Sequence, residues 1–155
     1  MPPIATTHPL SDIMTKNPFC ATPGMTVRQL ATVFAERKIS GAPVVGADGT
    51  LVGVVSRTDL FRRITQDAKE PNPGFLFDLI SEHVPAERQV MPEALLTVSD
   101  FMCESVITAT AGESIGAVAR RIGAAHVHRV VVIDEKRRPI GVVTALDFLK
   151  VFPIQ

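Results

Sequence analysis

Two short stretches set a hydroxyl three residues ahead of a carboxylate: Ser56-Arg-Thr-Asp59 and Thr144-Ala-Leu-Asp147. Each follows an apolar run with a glycine inside it, Leu51-Val-Gly-Val-Val55 and Ile140-Gly-Val-Val143, so each marks a strand giving way to a helix. Two chemistries fit this spacing. In the structural one, the hydroxyl caps the helix and the carboxylate bonds back to the cap residue. In the binding one, the helix N-terminus offers free N–H groups and its positive dipole end to a phosphate, helped by the hydroxyl. A carboxylate one turn in can then accept from both hydroxyls of a ribose. The two roles are compatible. Gly53 and Gly141 weaken their strands and so mark a close approach of backbone or ligand.

A second polar cluster is His126-Val-His128-Arg129. On a strand, His126 and His128 point to one face. A metal would need a third ligand, and none stands at a recognisable spacing. An anion facing His128 and Arg129 is the better reading, because a guanidinium grips phosphate in a bidentate way. The other histidines, His8 and His83, lie near no nucleophile turn. There is no Gly-rich phosphate loop ending in Lys-Ser/Thr. Cys20 and Cys103 have no basic neighbour to activate a thiol. These absences argue against an enzyme.

The elements that must position these residues come in duplicate. Residues 11–60 and 99–148 align without gaps at an offset of 88 and share twelve identities, among them Ser11, Asp12, Met14, Gly24, Gly53 and Asp59 with their counterparts. A repeat of this length governs how the rest of the chain is read. Val27, Leu30, Ala31 and Phe34 fall on one face of a 3.6-residue period, with Thr26 and Gln29 as a capping box. Ser114 precedes Ile115, Val118, Ala119 and Ile122 at the same spacing. Strands over Ala42–Val45 and Leu51–Val55 flank the hairpin signal Gly46-Ala-Asp-Gly49. Strands over 130–134 and 140–143 flank Glu135-Lys-Arg-Arg138, a charge run that reads as a solvated turn rather than a nucleic-acid patch. Final helices run from Arg57 to about Gln66 and from Ala145 to about Val151. Each half therefore reads β-α-β-β-α, an α+β class. Residues 1–10 read as a loose arm. Residues 61–98 are not repeated; prolines punctuate them around Phe75-Leu-Phe-Asp-Leu-Ile80, and a packed crossover is the simplest reading.

Composition narrows the function classes. Of 155 residues, 46% are hydrophobic, and sixteen basic side chains balance sixteen acidic ones. No global field draws the chain to nucleic acid or to an anionic membrane. No apolar run approaches the roughly 20 residues that span a bilayer. The N-terminus lacks a signal-peptide pattern, and two isolated cysteines suit a reduced, cytoplasmic setting.

The repeated Ser-Asp-hydrophobic-Met, Thr-x-Gly, amphipathic helix and Gly-Val-Val-Ser/Thr-x-x-Asp resemble a tandem pair of CBS domains, the regulatory modules named after cystathionine β-synthase. The resemblance covers about residues 9–151 and divides the chain into a domain at 9–66, a connection at 67–96 and a domain at 97–152. It implies two β-α-β-β-α units packed sheet to sheet about a pseudo-twofold axis, with clefts between them, and assembly as a homodimer. It further implies no catalytic cofactor, binding of AMP, ADP, ATP or S-adenosylmethionine, and regulation of a partner protein; with no room for a catalytic domain, the chain either acts through a separate partner or is a fragment of something larger. By that resemblance Asp59 and Asp147 hold ribose, and Ser56 and Thr144 sit near phosphate. His128 and Arg129 resemble the phosphate-contacting strand of the γ-subunit of AMP-activated protein kinase. Asp59 could share a ligand with them, since clefts in the family borrow from both halves. Ser40 and Gly41 take the corresponding places in the first half, which therefore lacks the His-Arg pair. Adenine would meet Cys20, Ile39, Ala42 and Pro43 in one site, and Thr108, Val127 and Val130 in the other. The competing reading is a ligand-free dimerisation or scaffolding module.

Overall fold

The computed structural model describes residues 5–67 and 96–151. Its elements in chain order are β1 (Thr15–Lys16), α1 (Val27–Arg37), β2 (Gly41–Val45), β3 (Leu51–Ser56), α2 (Arg57–Asp67), β4 (Thr108–Ala109), α3 (Ile115–Ala125), β5 (Arg129–Ile133) and β6 (Pro139–Thr144). Short 3-10 helices cover Leu10–Asp12, Val98–Asp100 and Ala145–Val151. The mixed α and β class is the expected one. Most of the unrepeated connection, including Phe75–Ile80, lies outside the described residues. Among the described residues no helix is long and apolar enough to cross a membrane.

Local chemistry explains the elements. The Thr26 side chain accepts from the Gln29 N–H at 3.1 Å while the Gln29 side chain accepts from the Thr26 N–H at 3.0 Å, the capping box expected for α1. Val27, Leu30, Ala31 and Phe34 are all buried. Ser114 caps α3 with one half of that arrangement, accepting from the Ala117 N–H at 3.3 Å without a return bond. Its buried stripe is narrower than expected: Ile115, Val118 and Ile122 are buried, but Ala119 is exposed. Both helices end on a left-handed residue that is not glycine, Lys38 and His126, each at φ 54°. The hairpin turns also match across the repeat. Gly49 has φ 82° and Arg137, its counterpart, φ 61°. The charge run at 135–138 is an exposed turn in which the Asp134 carboxylate accepts from the N–H groups of Lys136 and Arg138 at 2.9 Å.

The described residues sort into two compact units, and neither is one half of the sequence. One unit takes 5–19, 48–51 and 105–151; the other takes 20–47, 52–67 and 96–104. The halves have exchanged their lead-in segments. In the first unit, β1 pairs antiparallel with β6, Thr15 opposite Val142 and Lys16 opposite Gly141, giving the sheet order β1-β6-β5-β4. In the second, Cys103 bridges antiparallel to Val54 beside the β2–β3 pair.

The exchange also satisfies the helix starts, whose first N–H groups have no partner inside the helix. Ile115 and Gly116 donate to the carbonyls of His8 and Thr6, at 3.0 and 2.8 Å. Val27 donates to the carbonyl of Leu96 at 2.9 Å. Residues 6–10 are thus held against α3 and are not a loose arm. The first unit's core gathers Leu10 and Ile13 from the lead-in with Ile115, Val118, Ile122, Val130, Val132 and Val143. In the second unit Val27 and Leu60 pack with Leu96 and Phe101.

The strand glycines permit the exchange. A Cβ on Gly53 would lie 2.9 Å from the Cys103 carbonyl oxygen and 3.0 Å from the Met102 sulfur. One on Gly141 would lie 2.5 Å from the Met14 sulfur and 3.2 Å from the Thr15 carbonyl oxygen. The glycines therefore serve a close backbone approach. Overpacking of this kind costs about 1–3 kcal/mol, so Gly53→Ala and Gly141→Ala both lower the urea midpoint. Met14→Ala restores part of the loss from Gly141→Ala, because its obstacle is mainly a flexible side chain. Met102→Ala restores less to Gly53→Ala, because a backbone carbonyl remains. Equal rescue in the two pairs would contradict this packing.

Candidate functional site

The hydroxyl–carboxylate pairs lie where the sequence places them, at the ends of β3 and β6. At the first junction the Asp59 Oδ2 accepts from both the Ser56 N–H at 3.0 Å and the Ser56 hydroxyl at 2.9 Å. The Asp59 N–H in turn donates to Ser56 Oγ at 3.2 Å. This is a complete capping box, and α2 continues for eleven residues behind it. Both side chains are half-buried. Among the described residues nothing donates to the other carboxylate oxygen, Asp59 Oδ1.

The second junction is the same design with three differences. Asp147 Oδ2 accepts from the Thr144 N–H at 2.9 Å and from its hydroxyl at 3.3 Å, but no return bond from the Asp147 N–H to the hydroxyl forms. The helix behind it is a seven-residue 3-10 helix, not an α-helix, so it brings a weaker dipole to an anion. Asp147 Oδ1 is also occupied: the Lys150 ammonium stands 3.1 Å away. That ammonium donates to the Ile13 carbonyl as well, at 3.3 Å. Lys150 was not among the expected site residues, although its place one turn after Asp147 is the spacing at which helical ion pairs form.

Backbone pairing gathers the other expected residues around each junction. In one unit Arg57, the first residue of α2, donates its N–H to the Ser40 carbonyl at 3.0 Å. This bond sets Ser40 and Gly41 beside Ser56. Ala21 donates to the Pro43 carbonyl at 2.8 Å and accepts from Val45 at 2.9 Å, placing Cys20 alongside Ala42 and Pro43. Ile39 follows the left-handed Lys38 and donates to the Phe34 carbonyl. The other unit repeats the pattern 88 positions on. Ala145 donates to the His128 carbonyl at 2.8 Å, Arg129 lies opposite Thr144 in the ladder, and Thr108 pairs with Val131. Val127 is the counterpart of Ile39, and Val130 is fully buried in the core.

Opposed residues of a ladder share a face, so Arg129 and Thr144 project to the side of the sheet opposite Val130 and Val143. The His126–His128 reading is corrected here. His126 is the left-handed cap of α3 and β5 begins only at Arg129. The two imidazoles do not share a strand face, because a helix stop separates them from the sheet. No signal for this stop stands in the sequence, since the position usually held by glycine carries histidine.

Cys20 is half-buried, and burial pushes its pKa up, away from the thiolate.

Comparison with known proteins places this geometry in context. The family model of the CBS domain matches residues 10–66 and again 98–154. An uncharacterized protein of Methanocaldococcus jannaschii is 30% identical over 150 residues, covering 91% of this chain and 89% of that protein. The human 5'-AMP-activated protein kinase subunit gamma-3 is 31% identical over 118 residues, 76% of this chain and 21% of the subunit. The solved structure of CBSX2 in complex with AMP, a CBS-pair protein from Arabidopsis thaliana, is 25% identical with a TM-score of 0.68, over 92% of this chain and 94% of that one. The chain spans only 23%, 38% and 43% of three other relatives from Methanocaldococcus jannaschii.

The unequal caps give unequal stability effects. Removing a full cap costs about 1 kcal/mol, up to about 2. Ser56→Ala is expected to lose that amount, and Thr144→Ala clearly less, because its hydroxyl lacks the return bond. Urea unfolding of the two variants measures this, and equal losses would contradict the asymmetry.

Proposed function

Because this chain belongs to the CBS-domain family, we propose that it is a regulatory module that binds adenosine-containing ligands at its two strand-to-helix junctions. The ligand class is an adenine nucleotide, AMP, ADP or ATP, with S-adenosylmethionine as a further candidate. The observation that carries this reading is the state of the Asp59 carboxylate. One oxygen is fixed by Ser56 and aims the group, while the other has no donor among the described residues. Such an oxygen suits a ribose diol, whose two hydroxyls are donors of the right spacing. The start of α2 lies beside it, with a dipole suited to a phosphate.

In this reading the first site takes ribose at Asp59, phosphate near Ser56, Ser40 and Gly41, and adenine against Cys20, Ile39, Ala42 and Pro43. The second takes ribose at Asp147, phosphate near Thr144, His128 and Arg129, and adenine against Thr108, Val127 and the backbone of Val130, whose side chain faces the core. The relatives support the ligand class: one similar structure is a complex with AMP, and one similar subunit belongs to an AMP-activated kinase. The module performs no chemistry itself. It works in the cytoplasm as a homodimer and passes ligand occupancy to a partner protein.

The competing scaffold reading draws on one feature. Phe61 and Leu149 stand at the same position of the repeat and are 51% and 55% exposed, an apolar surface each half could use for association alone.

Calorimetric titration with AMP separates the readings. The wild type is expected to bind, and Asp59→Ala to weaken the first site by at least about tenfold, the effect of losing charge-assisted bonds worth roughly 1.5–3 kcal/mol. AMP should also slow alkylation of Cys20 by iodoacetamide and leave that of Cys103 unchanged. Unaltered affinity in Asp59→Ala would remove this residue from the site. No binding in the wild type would favour the scaffold.

A further inference from the structure

The two junctions are repeats in sequence but differ in chemistry, and the difference that bears on the ribose position lies in one side chain. Asp59 has an oxygen without a donor among the described residues; the equivalent oxygen of Asp147 already accepts from the Lys150 ammonium at 3.1 Å. We infer that Lys150 is a built-in competitor for the ribose position of the second site. It lowers that site's affinity, so that the two sites of one chain fill at different ligand concentrations. This rests on the proposed role of the aspartates in holding ribose.

The geometry supports competition rather than a surface ion pair of no consequence. The Asp147 side chain is 15% exposed, so its carboxylate is shielded from water, while Lys150 is 54% exposed and can swing away. A second bond, to the Ile13 carbonyl at 3.3 Å, holds the ammonium over the carboxylate. Ile13 is itself 1% exposed and fixed in the core, so the anchor does not move. With Oδ2 taken by Thr144, a ribose diol arriving at Asp147 must share Oδ1 with the ammonium or displace it. At Asp59 no such ammonium contact is formed among the described residues, although Arg62 stands at the position equivalent to Lys150.

A cation beside a binding site has an opposite role to consider, attraction of the ligand's phosphate. The two roles respond differently to a ligand without phosphate. Equilibrium dialysis with adenosine and with AMP therefore tests the inference, in the Asp59→Ala background where only the second site remains. Lys150→Met and Lys150→Gln both remove the ammonium, and Gln keeps a polar group should Met disturb the fold. Both are expected to tighten adenosine binding by about three- to tenfold, the scale of a partly shielded ion pair. In Asp147→Ala, with Asp59 intact, the same substitutions are expected to change nothing.

Unchanged adenosine affinity would overturn the inference, as would a fall in AMP affinity with adenosine unaffected, which would make Lys150 a phosphate ligand. If the wild type binds neither compound, the proposed function fails and this inference with it. If the wild type binds both, and the lysine variants leave adenosine affinity unchanged, the inference alone fails.

Discussion

At each strand-to-helix junction one aspartate oxygen accepts from the backbone N–H and the hydroxyl of the residue three positions earlier. The rest of the structure depends on that pair of bonds. It ends the strand, starts the helix and fixes where the second carboxylate oxygen lies. A free carboxylate would sample several rotamers and lose that freedom on meeting a ligand. One already held by two donors is in place before the ligand arrives, so its ordering cost falls on folding and not on binding. The capping and binding readings of the same four residues are thus two consequences of one geometry. The first carbonyl–amide bond of each helix, Ser40 to Arg57 and His128 to Ala145, extends the arrangement to the neighbouring strand.

The exchanged lead-in segments supply the rigidity behind these junctions. Strand pairing of only two residues, as in β1, is weak alone. Here it is reinforced by the burial of Leu10 and Ile13 and by the bonds that satisfy the first N–H groups of α3. Because Thr15 and Cys103 lie across β6 and β3, each lead-in crosses the strand that ends in a candidate site. Gly141 and Gly53 are required by the same crossing. Ile13 then links the crossing to the chemistry, since its carbonyl anchors Lys150 over Asp147.

Features written in local spacing were legible in the sequence. The capping box of Thr26 and Gln29, the buried face of α1, both hairpins and both hydroxyl–carboxylate junctions could be read because each depends on residues within a turn or two of one another. Three kinds of feature could not. The exchange of lead-ins depends on pairing between residues far apart in the chain, Lys16 with Gly141 in one unit and Val54 with Cys103 in the other. The left-handed caps at Lys38 and His126 fall on residues that give no signal for a positive φ, which misplaced His126 on a strand. The choice between α and 3-10 behind Thr144 turns on which carbonyl each N–H reaches, and Ala145–Val151 carries no marker for that. Lys150 lies between these cases: its spacing from Asp147 was readable, but its second bond to Ile13 needed the fold.

The central claim is that the two aspartates hold an adenosine-containing ligand. The chain has no Trp and no Tyr, so it is nearly transparent in the adenine band and bound nucleotide can be read directly. Dialysis of AMP against the wild type and against the Asp59→Ala, Asp147→Ala double variant is the most direct measurement. The account predicts excess adenine absorbance on the wild-type side, rising toward two nucleotides per chain, and none with the double variant. Equal absorbance on both sides of the wild-type membrane, or the same excess with the double variant, would contradict it.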